Sequence, residues 1–202
     1  MEQALRSAGV SVVAGVDEAG RGALAGPVVA AAVVLDLNHC PDGLNDSKKL
    51  APGVRLELFH AILRSATSVG VHLVGPRRID HVNILRATHE AMRGALQALS
   101  SMPDVALVDG LPVKGLPCPH QALVGGDGLE CAISAASIIA KVTRDQLMVC
   151  YGDLYPEYGF ERHKGYGTPE HRTAIITHGL TGIHRRTFTT SLFQAVQGAV
   201  DL

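Results

Sequence analysis

The sequence predicts an α/β chain, a mixed β-sheet flanked by helices with a C-terminal helical extension. Three observations carry that expectation. β-branched runs of strand length and longer segments of helical period follow in the order β-β-α-β-α-β-β-α before a helical tail, an order that implies a mixed sheet covered by helices. Of 202 residues, 47% are hydrophobic and 18% charged, enough apolar material for a core and too much for a disordered chain. No internal repeat, low-complexity tract or long linker interrupts the chain. Residues 1–202 are therefore expected to form one domain, about 11–150 as its core and about 151–202 as C-terminal loop and helices.

The elements are justified in turn. Val10 to Val16 and Pro27 to Leu35 are β-branched runs joined by a glycine-rich, charged loop, and read as two strands. Pro52 suits a first helical position, after which Leu56, Phe59 and Leu63 recur at helical spacing and predict the inner face of a helix. Val69, Val71 and Leu73 alternate as in a half-buried strand. Asn83 is a candidate N-cap for a helix reaching Leu99, with Met92, Leu96 and Leu99 on one stripe. Pro103 closes it before a strand, Val105 to Val108, that ends at Asp109. A short apolar piece, Gln121 to Val124, leads to Gly125-Gly126-Asp127, and Cys131 to Cys150 reads as a long helix rich in small residues. Thr168 as N-cap, Pro169 in the first turn and Gly179 past the end delimit another helix, and Thr190 to Val200 predicts a last one.

Several classes are excluded. The longest apolar run, Pro27 to Leu35, would cross only about half a bilayer as a helix. Met1 to Gly15 has no basic start, clean apolar stretch and small-residue cleavage site, so a cytoplasmic protein is expected. Cys40, Cys118, Cys131 and Cys150 never form a C-x-x-C pair, which argues against structural zinc and a disulfide framework and for buried free thiols. With 18 Lys and Arg against 19 Asp and Glu, the net charge of -1 steers nothing globally to nucleic acid, and any such site must be a local patch.

The glycine-rich loop fits neither common nucleotide motif. Gly15 to Gly22 lacks the lysine and hydroxyl residue of a P-loop. Gly20, Gly22 and Ala25 have dinucleotide-fingerprint spacing, but a strand rather than a helix follows. What remains is a pair of carboxylates, Asp17 and Glu18, at the end of an apolar strand. Alone, the pair fits a solvated turn better than a site. Asp109 ends a second apolar strand and Asp127 follows a third, and ligands of open α/β sheets collect outside such strand ends. Four carboxylates without a cysteine or histidine motif suit magnesium or manganese, if the fold brings them together.

At these residues the chain resembles a known family. Gly15-Val-Asp-Glu-Ala-Gly-Arg-Gly22 with Ala25-Gly-Pro27 is similar to the opening of ribonuclease HII. Asn45-Asp-Ser-Lys-Lys-Leu50, Val108-Asp-Gly110, Gly126-Asp127, Ile133 to Asp145, His163-Lys-Gly-Tyr-Gly-Thr168 and His184-Arg-Arg186 with Phe188 resemble its later blocks, in order. The likeness spans about residues 12 to 188.

The resemblance implies a ribonuclease H-like fold in which Asp17, Glu18, Asp109 and Asp127 bind two divalent ions, Mn2+ or Mg2+, about 4 Å apart during catalysis. It implies an endonuclease that hydrolyses the RNA strand of RNA/DNA hybrids. It also implies cutting 5' of single ribonucleotides in duplex DNA, leaving 5'-phosphate and 3'-hydroxyl ends. Gly20, Arg21 and Gly22 would approach the ribose 2'-hydroxyl, and Tyr166 would stack beneath the following deoxyribose, so that together they read an RNA-to-DNA junction. Ser47 and Lys48 would lie near the scissile phosphate. Ser134, Ser137 and Lys141 share a helix face that would border the nucleic acid, although a small-residue packing seam explains the serines nearly as well.

For Asp145 a structural ion pair is the preferred reading. Arg144, His163 and Lys164 offer either positive potential for a backbone or an exposed charged face, and the other histidines are expected at the surface. A monomer without membrane contact is expected. Many relatives carry Ala or Ser and then Lys after the last aspartate, whereas Gly128-Leu129-Glu130-Cys131 puts an acid there. The competing class is a catalytically silent hybrid-binding module, in which the carboxylates merely hold a structural cation; another nuclease on the same fold is a third.

Overall fold

The computed structural model describes residues 1–36, 40–44, 50–190 and 192. Five strands form one mixed sheet: β1 (Val13–Ala19), β2 (Val28–Leu35), β3 (Ala66–Val74), β4 (Val105–Asp109) and β5 (His120–Leu123). The strand order is β3-β2-β1-β4-β5. β1 pairs antiparallel with β2, placing Asp17 opposite Ala31, and β2 pairs antiparallel with β3. β1 and β4 are parallel, with Val16 opposite Val108, and β4 and β5 continue parallel, with Asp109 opposite Leu123.

Helices cover both faces. α3 (Pro76–Val82) and α4 (Ile84–Gln97) lie on one side, where Ala14, Val16, Ala30 and Ala32 meet Ala91, Met92, Ala95 and Leu96. α2 (Pro52–Ser65) and α5 (Cys131–Leu154) lie on the other, where Ala31, Val33 and Leu35 meet Ile62, Ala135, Ile138 and Ile139. Small residues let α5 close directly onto β1: a Cβ on Gly15 would stand 2.0 Å from the carbonyl carbon of Ala132. Burying one isoleucine such as Ile138 contributes about 1.5–3 kcal/mol, so this tightly seated helix is a main source of rigidity behind β1.

The chain after α5 forms a third cluster, with Ala25, Met148, Tyr158, Phe160, Ile175 and Ile183 at its heart. It contains α6 (Phe160–His163) and α7 (Pro169–His178), whose N-cap Thr168 Oγ1 accepts from the His171 amide at 3.2 Å. Likewise Asn83 caps α4 as expected, its Oδ1 accepting from the Arg86 amide at 3.1 Å.

Several elements differ from the sequence expectation. β1 starts at Val13 and runs through both acidic residues to Ala19, because backbone pairing with Ala30 and Val29 of β2 continues whatever the side chains are. The inner face of α2 is Leu58 and Ile62; Leu56 and Leu63 are exposed, since the helix docks on α5 through the neighbouring stripe of equal period. Leu73 is likewise exposed. β5 begins one residue earlier than expected and ends before the exposed Val124, and α5 runs four residues further, to Leu154.

Three short helices, α1 (Glu2–Ser7), α3 and α6, are not predicted because four to seven residues hardly establish a period. Residues 186–190 are helical, while most of the predicted last helix lies outside the described residues. The four cysteines are free, but none is buried: Cys40 and Cys118 are half-buried and Cys131 and Cys150 exposed. Among the described residues, no helix is long and apolar enough to cross a membrane.

Candidate functional site

Three carboxylates meet where β1, β4 and the segment before α5 converge. One ligand oxygen from each of Asp17, Asp109 and Asp127 lies within 4.8 Å of the others. Parallel pairing of β1 with β4 sets the first two side by side, one residue beyond the Val16–Val108 pair. Asp127 arrives through a sharp turn: Gly125 adopts φ 72°, a conformation suited to glycine, and opens a short 3-10 helix, Gly126–Gly128. The Gly126 amide then donates to Asp109 Oδ1 at 2.8 Å, and Ser134 Oγ of α5 donates to the Asp127 carbonyl.

Asp17 is only 3% exposed. Its burial, followed by the charges of Glu18 and Asp109, pushes its carboxyl well above the usual carboxylate range, against hydrogen bonds donated by Ser137 and by the Glu18 amide. Anions gathered in so dry a place are costly without a cation. An all-oxygen set of hard donors fits a divalent ion of the magnesium or manganese type. Glu18 does not join the three-carboxylate cluster: strand alternation turns it away from Asp17, and its Oε1 accepts from the Arg21 guanidinium at 3.1 Å.

Beside the carboxylates opens a cavity of about 700 Å³, lined among others by Glu18, Gly20, Arg21, Gly22, Ser137 and Tyr166. The two loop glycines differ in kind. Gly20 has φ 92°, and a Cβ there would strike Arg144 Nε at 2.0 Å, so its absence is demanded from below. Nothing lies within 4 Å of a Cβ on Gly22, so a small residue there keeps the space above the loop open.

The loop rests on two fully buried arginines. Arg185 donates to the carbonyls of Gly20 at 2.7 Å, Arg21 at 2.8 Å and Gly26 at 3.0 Å. Arg144 donates to Pro27 and Ala25, both at 3.0 Å, and its guanidinium lies 5.2 Å from the centre of the Tyr166 ring. Burial, then the charge of Arg144, pushes Arg185 down to about 9; burial also lowers Arg144. The sequence offered positive potential or an exposed charged face for Arg144; it is fully buried.

Tyr166 is presented by a loop locked to the first. The Gly165 carbonyl accepts from the amides of Leu24 at 2.8 Å and Ala25 at 3.2 Å, and Arg185 N–H donates to the Leu24 carbonyl at 2.8 Å. Three histidines brace it from behind. His163 Nδ1 accepts from the Gly165 amide at 3.2 Å, and its Nε2 faces the Tyr158 carbonyl at 2.8 Å. His184 Nδ1 accepts from the Thr181 amide at 2.9 Å, which leaves the proton on Nε2 to donate to His171 Nε2 at 3.1 Å. His171 Nδ1–H in turn donates to the Tyr166 carbonyl at 2.9 Å. Burial holds His171 and His184 at about 4 each, so both are neutral, as this directional chain requires.

These two histidines and Arg185 are what sequence reasoning missed. Surface positions were expected for the remaining histidines, yet His171 and His184 are buried. The His184-Arg-Arg186 block was the one available signal, and it carried no role. Asp145 does pair structurally, with Lys141 Nζ at 2.8 Å and Arg55 at 3.9 Å. Glu130, the acid after Asp127, is engaged by the N-terminal segment. It accepts from the Met1 ammonium at 2.5 Å and the Glu2 amide at 3.0 Å. Burial would raise its carboxyl, but those bonds outweigh it and hold the group low. Ser47 and Lys48 lie outside the described residues.

Comparison with known proteins gives a consistent picture. The family model described as Ribonuclease HII matches residues 14–191. A protein of Bartonella henselae named Ribonuclease HII is 52% identical over 186 residues, covering 91% of this chain and 83% of its own length. Among solved structures, ribonuclease H2 from Pyrococcus horikoshii superposes with a TM-score of 0.77 at 30% identity, covering 93% of this chain and 99% of that one. RNase HII from Archaeoglobus fulgidus, solved in a PCNA complex, does so with a TM-score of 0.74 at 27% identity, covering 87% and 94%.

Proposed function

The chain belongs to the ribonuclease HII family, and from that premise we propose that Asp17, Glu18, Asp109 and Asp127 hold two divalent cations for cleavage at RNA-to-DNA junctions. It is an endonuclease that hydrolyses the RNA strand of RNA/DNA hybrids. The finer activity proposed is incision 5' of a single ribonucleotide in duplex DNA, leaving 5'-phosphate and 3'-hydroxyl ends. The observation that carries it is the convergence of three carboxylates beside a cavity whose rim joins Gly20–Gly22 to Tyr166.

Cations held by these carboxylates would supply Lewis-acid activation of a water and neutralisation of phosphate charge. The chain's own groups do the rest. Asp17, Asp109 and Asp127 offer converging oxygens, and Glu18 offers another at the cavity edge by releasing Arg21. Gly22 leaves room for a ribose to approach the loop backbone, where its 2'-hydroxyl can be bonded. Tyr166, held by its own carbonyl, presents a ring on which the next sugar, a deoxyribose, packs. Ser47 and Lys48 complete the proposal near the scissile phosphate. Hard-oxygen donors accept Mg2+ and Mn2+ alike, and both are expected to support the reaction. The proposal takes residues 1–202 as one domain acting as a cytoplasmic monomer.

The test is a labelled DNA duplex carrying one ribonucleotide, incubated with the purified chain in Mg2+, Mn2+ or EDTA and mapped to the nucleotide. A metal-dependent cut immediately 5' of the ribonucleotide is expected. Cutting of long hybrids alone removes the reading role of Gly20–Gly22 and Tyr166. Binding without cleavage under every condition points to the silent binding module.

A further inference from the structure

Directly after Asp109, the Gly110 turn leads into a second groove, on the α4 side of the sheet. Its volume is about 680 Å³, and its lining includes Arg78, Leu85, Arg86, His89, Arg93 and Lys114. α4 supplies a stripe at helical spacing, Arg86, His89 with Glu90, and Arg93. The facing wall is the 111–114 loop, tied to the helix by Arg93 NH1 donating to the Lys114 carbonyl at 3.2 Å.

Charge marks this groove, as it does the cavity beside the carboxylates. The whole chain carries a net charge of -1, yet here four cations meet one carboxylate. Glu90 neutralises Arg78 through a 3.0 Å ion pair. Among the described residues, Arg86, Arg93 and Lys114 form no ion pair, and Arg86 and Lys114 are exposed. An excess of positive charge in a concave surface, which Glu90 offsets only in part, fits a polyanion.

The groove also lies near the catalytic side. Its 111–114 wall follows the strand that ends at Asp109, and the charge of Arg21 reaches His89, where burial and then Arg93 and Arg21 lower the imidazole. Arg86 and Arg93 stand seven residues apart on α4, about 10 Å along the axis. Exposed Leu85 and Leu111 give the rim apolar surface for sugar edges.

We propose that this groove is a second nucleic-acid binding surface, in which Arg86, Arg93 and Lys114 take phosphates of the substrate duplex on a flank outside the cleaved junction. The inference rests on the junction-cutting reading above. It assigns the α4 side a role in duplex affinity and length dependence, separate from the chemistry at the carboxylates.

The test is the double variant Arg86→Gln/Lys114→Gln, with Arg77→Gln, an exposed arginine outside the groove, as control. Cleavage of one-ribonucleotide duplexes is measured against salt, with the flanks lengthened first on one side and then on the other. On the long duplex, the double variant is expected to raise KM by roughly tenfold with kcat unchanged. The log-log salt slope should fall by about two, one for each phosphate left without its cation. On a duplex trimmed to the junction, wild type and variant should coincide. Equal KM and salt slope on every duplex would overturn the proposal, and so would an equal loss on long and trimmed duplexes. A wild-type chain that cuts no duplex would instead count against the junction-cutting reading, so the two failures are distinguishable.

Discussion

Arg185 donates a 2.7 Å hydrogen bond to the carbonyl of Gly20, a residue 165 positions earlier in the chain. With its bonds to Arg21 and Gly26, one guanidinium therefore sets the orientation of three peptide units in the loop that borders the catalytic cavity. No lysine can do this, because a single ammonium lacks the planar fork.

Arg185→Lys should accordingly keep the fold while loosening the loop. Loss of one charge-assisted bond, about 1.5–3 kcal/mol, predicts a fall of roughly ten- to a hundredfold in kcat/KM at a ribonucleotide junction. Cleavage of long hybrids should fall less. Paired kinetics on the two substrates check this, and equal losses would deny the loop a reading role.

The two glycines of that loop should respond differently to alanine. Gly20→Ala forces a Cβ against buried Arg144 at a positive φ, and should destabilise the protein by about 2 kcal/mol or more. Gly22→Ala meets nothing in the fold and should melt like wild type, yet lose junction cleavage because the methyl occupies ribose space. Thermal melts alongside cleavage assays separate the two effects.

Asp17→Asn should abolish cleavage, since a neutral amide is a poor ligand for a hard cation. The metal-free protein should nevertheless gain stability, because the amide removes the cost of burying a charge and then the repulsion with Glu18 and Asp109. Added Mg2+ or Mn2+ should stabilise wild type by mass action and leave the variant unmoved. Calorimetry with and without metal reads all three outcomes.

His171 and His184 predict an acid-sensitive brace behind Tyr166. Both have folded values of about 4 against an ordinary 6.5, so the unfolded chain binds more protons between those limits. Their contribution is fully present above about pH 6.5 and is lost progressively as pH falls towards 4, by a few kcal/mol in all. The stability difference between wild type and His171→Gln/His184→Gln should therefore shrink across that window. Denaturant titrations at pH 7, 5.5 and 4 test it, and a constant difference would refute it.

Much of the fold was legible because its signals are local. The apolar run of β2, the Asn83 and Thr168 caps, and the Met92–Leu96–Leu99 stripe each express a preference that tertiary packing leaves in place. The face of α2 was not legible, since Leu56–Leu63 and Leu58–Ile62 have helical spacing alike and only the position of α5 chooses between them. Short α1 and α3 hold too few residues for a periodic signal.

The sequence by itself determined the chemistry available: four strand-end acids, a glycine-rich loop, Tyr166 in its motif, and the order of blocks that marks the family. Only the tertiary structure decided which of these meet. Asp17, Asp109 and Asp127 come together because parallel pairing aligns β1 with β4 and the Gly125 turn returns the chain, while Glu18 faces the neighbouring cavity. The same holds for Arg185, the histidine chain and the basic α4 groove. Each depends on residues far apart in sequence, whose burial and partners are properties of packing and leave no local pattern to read.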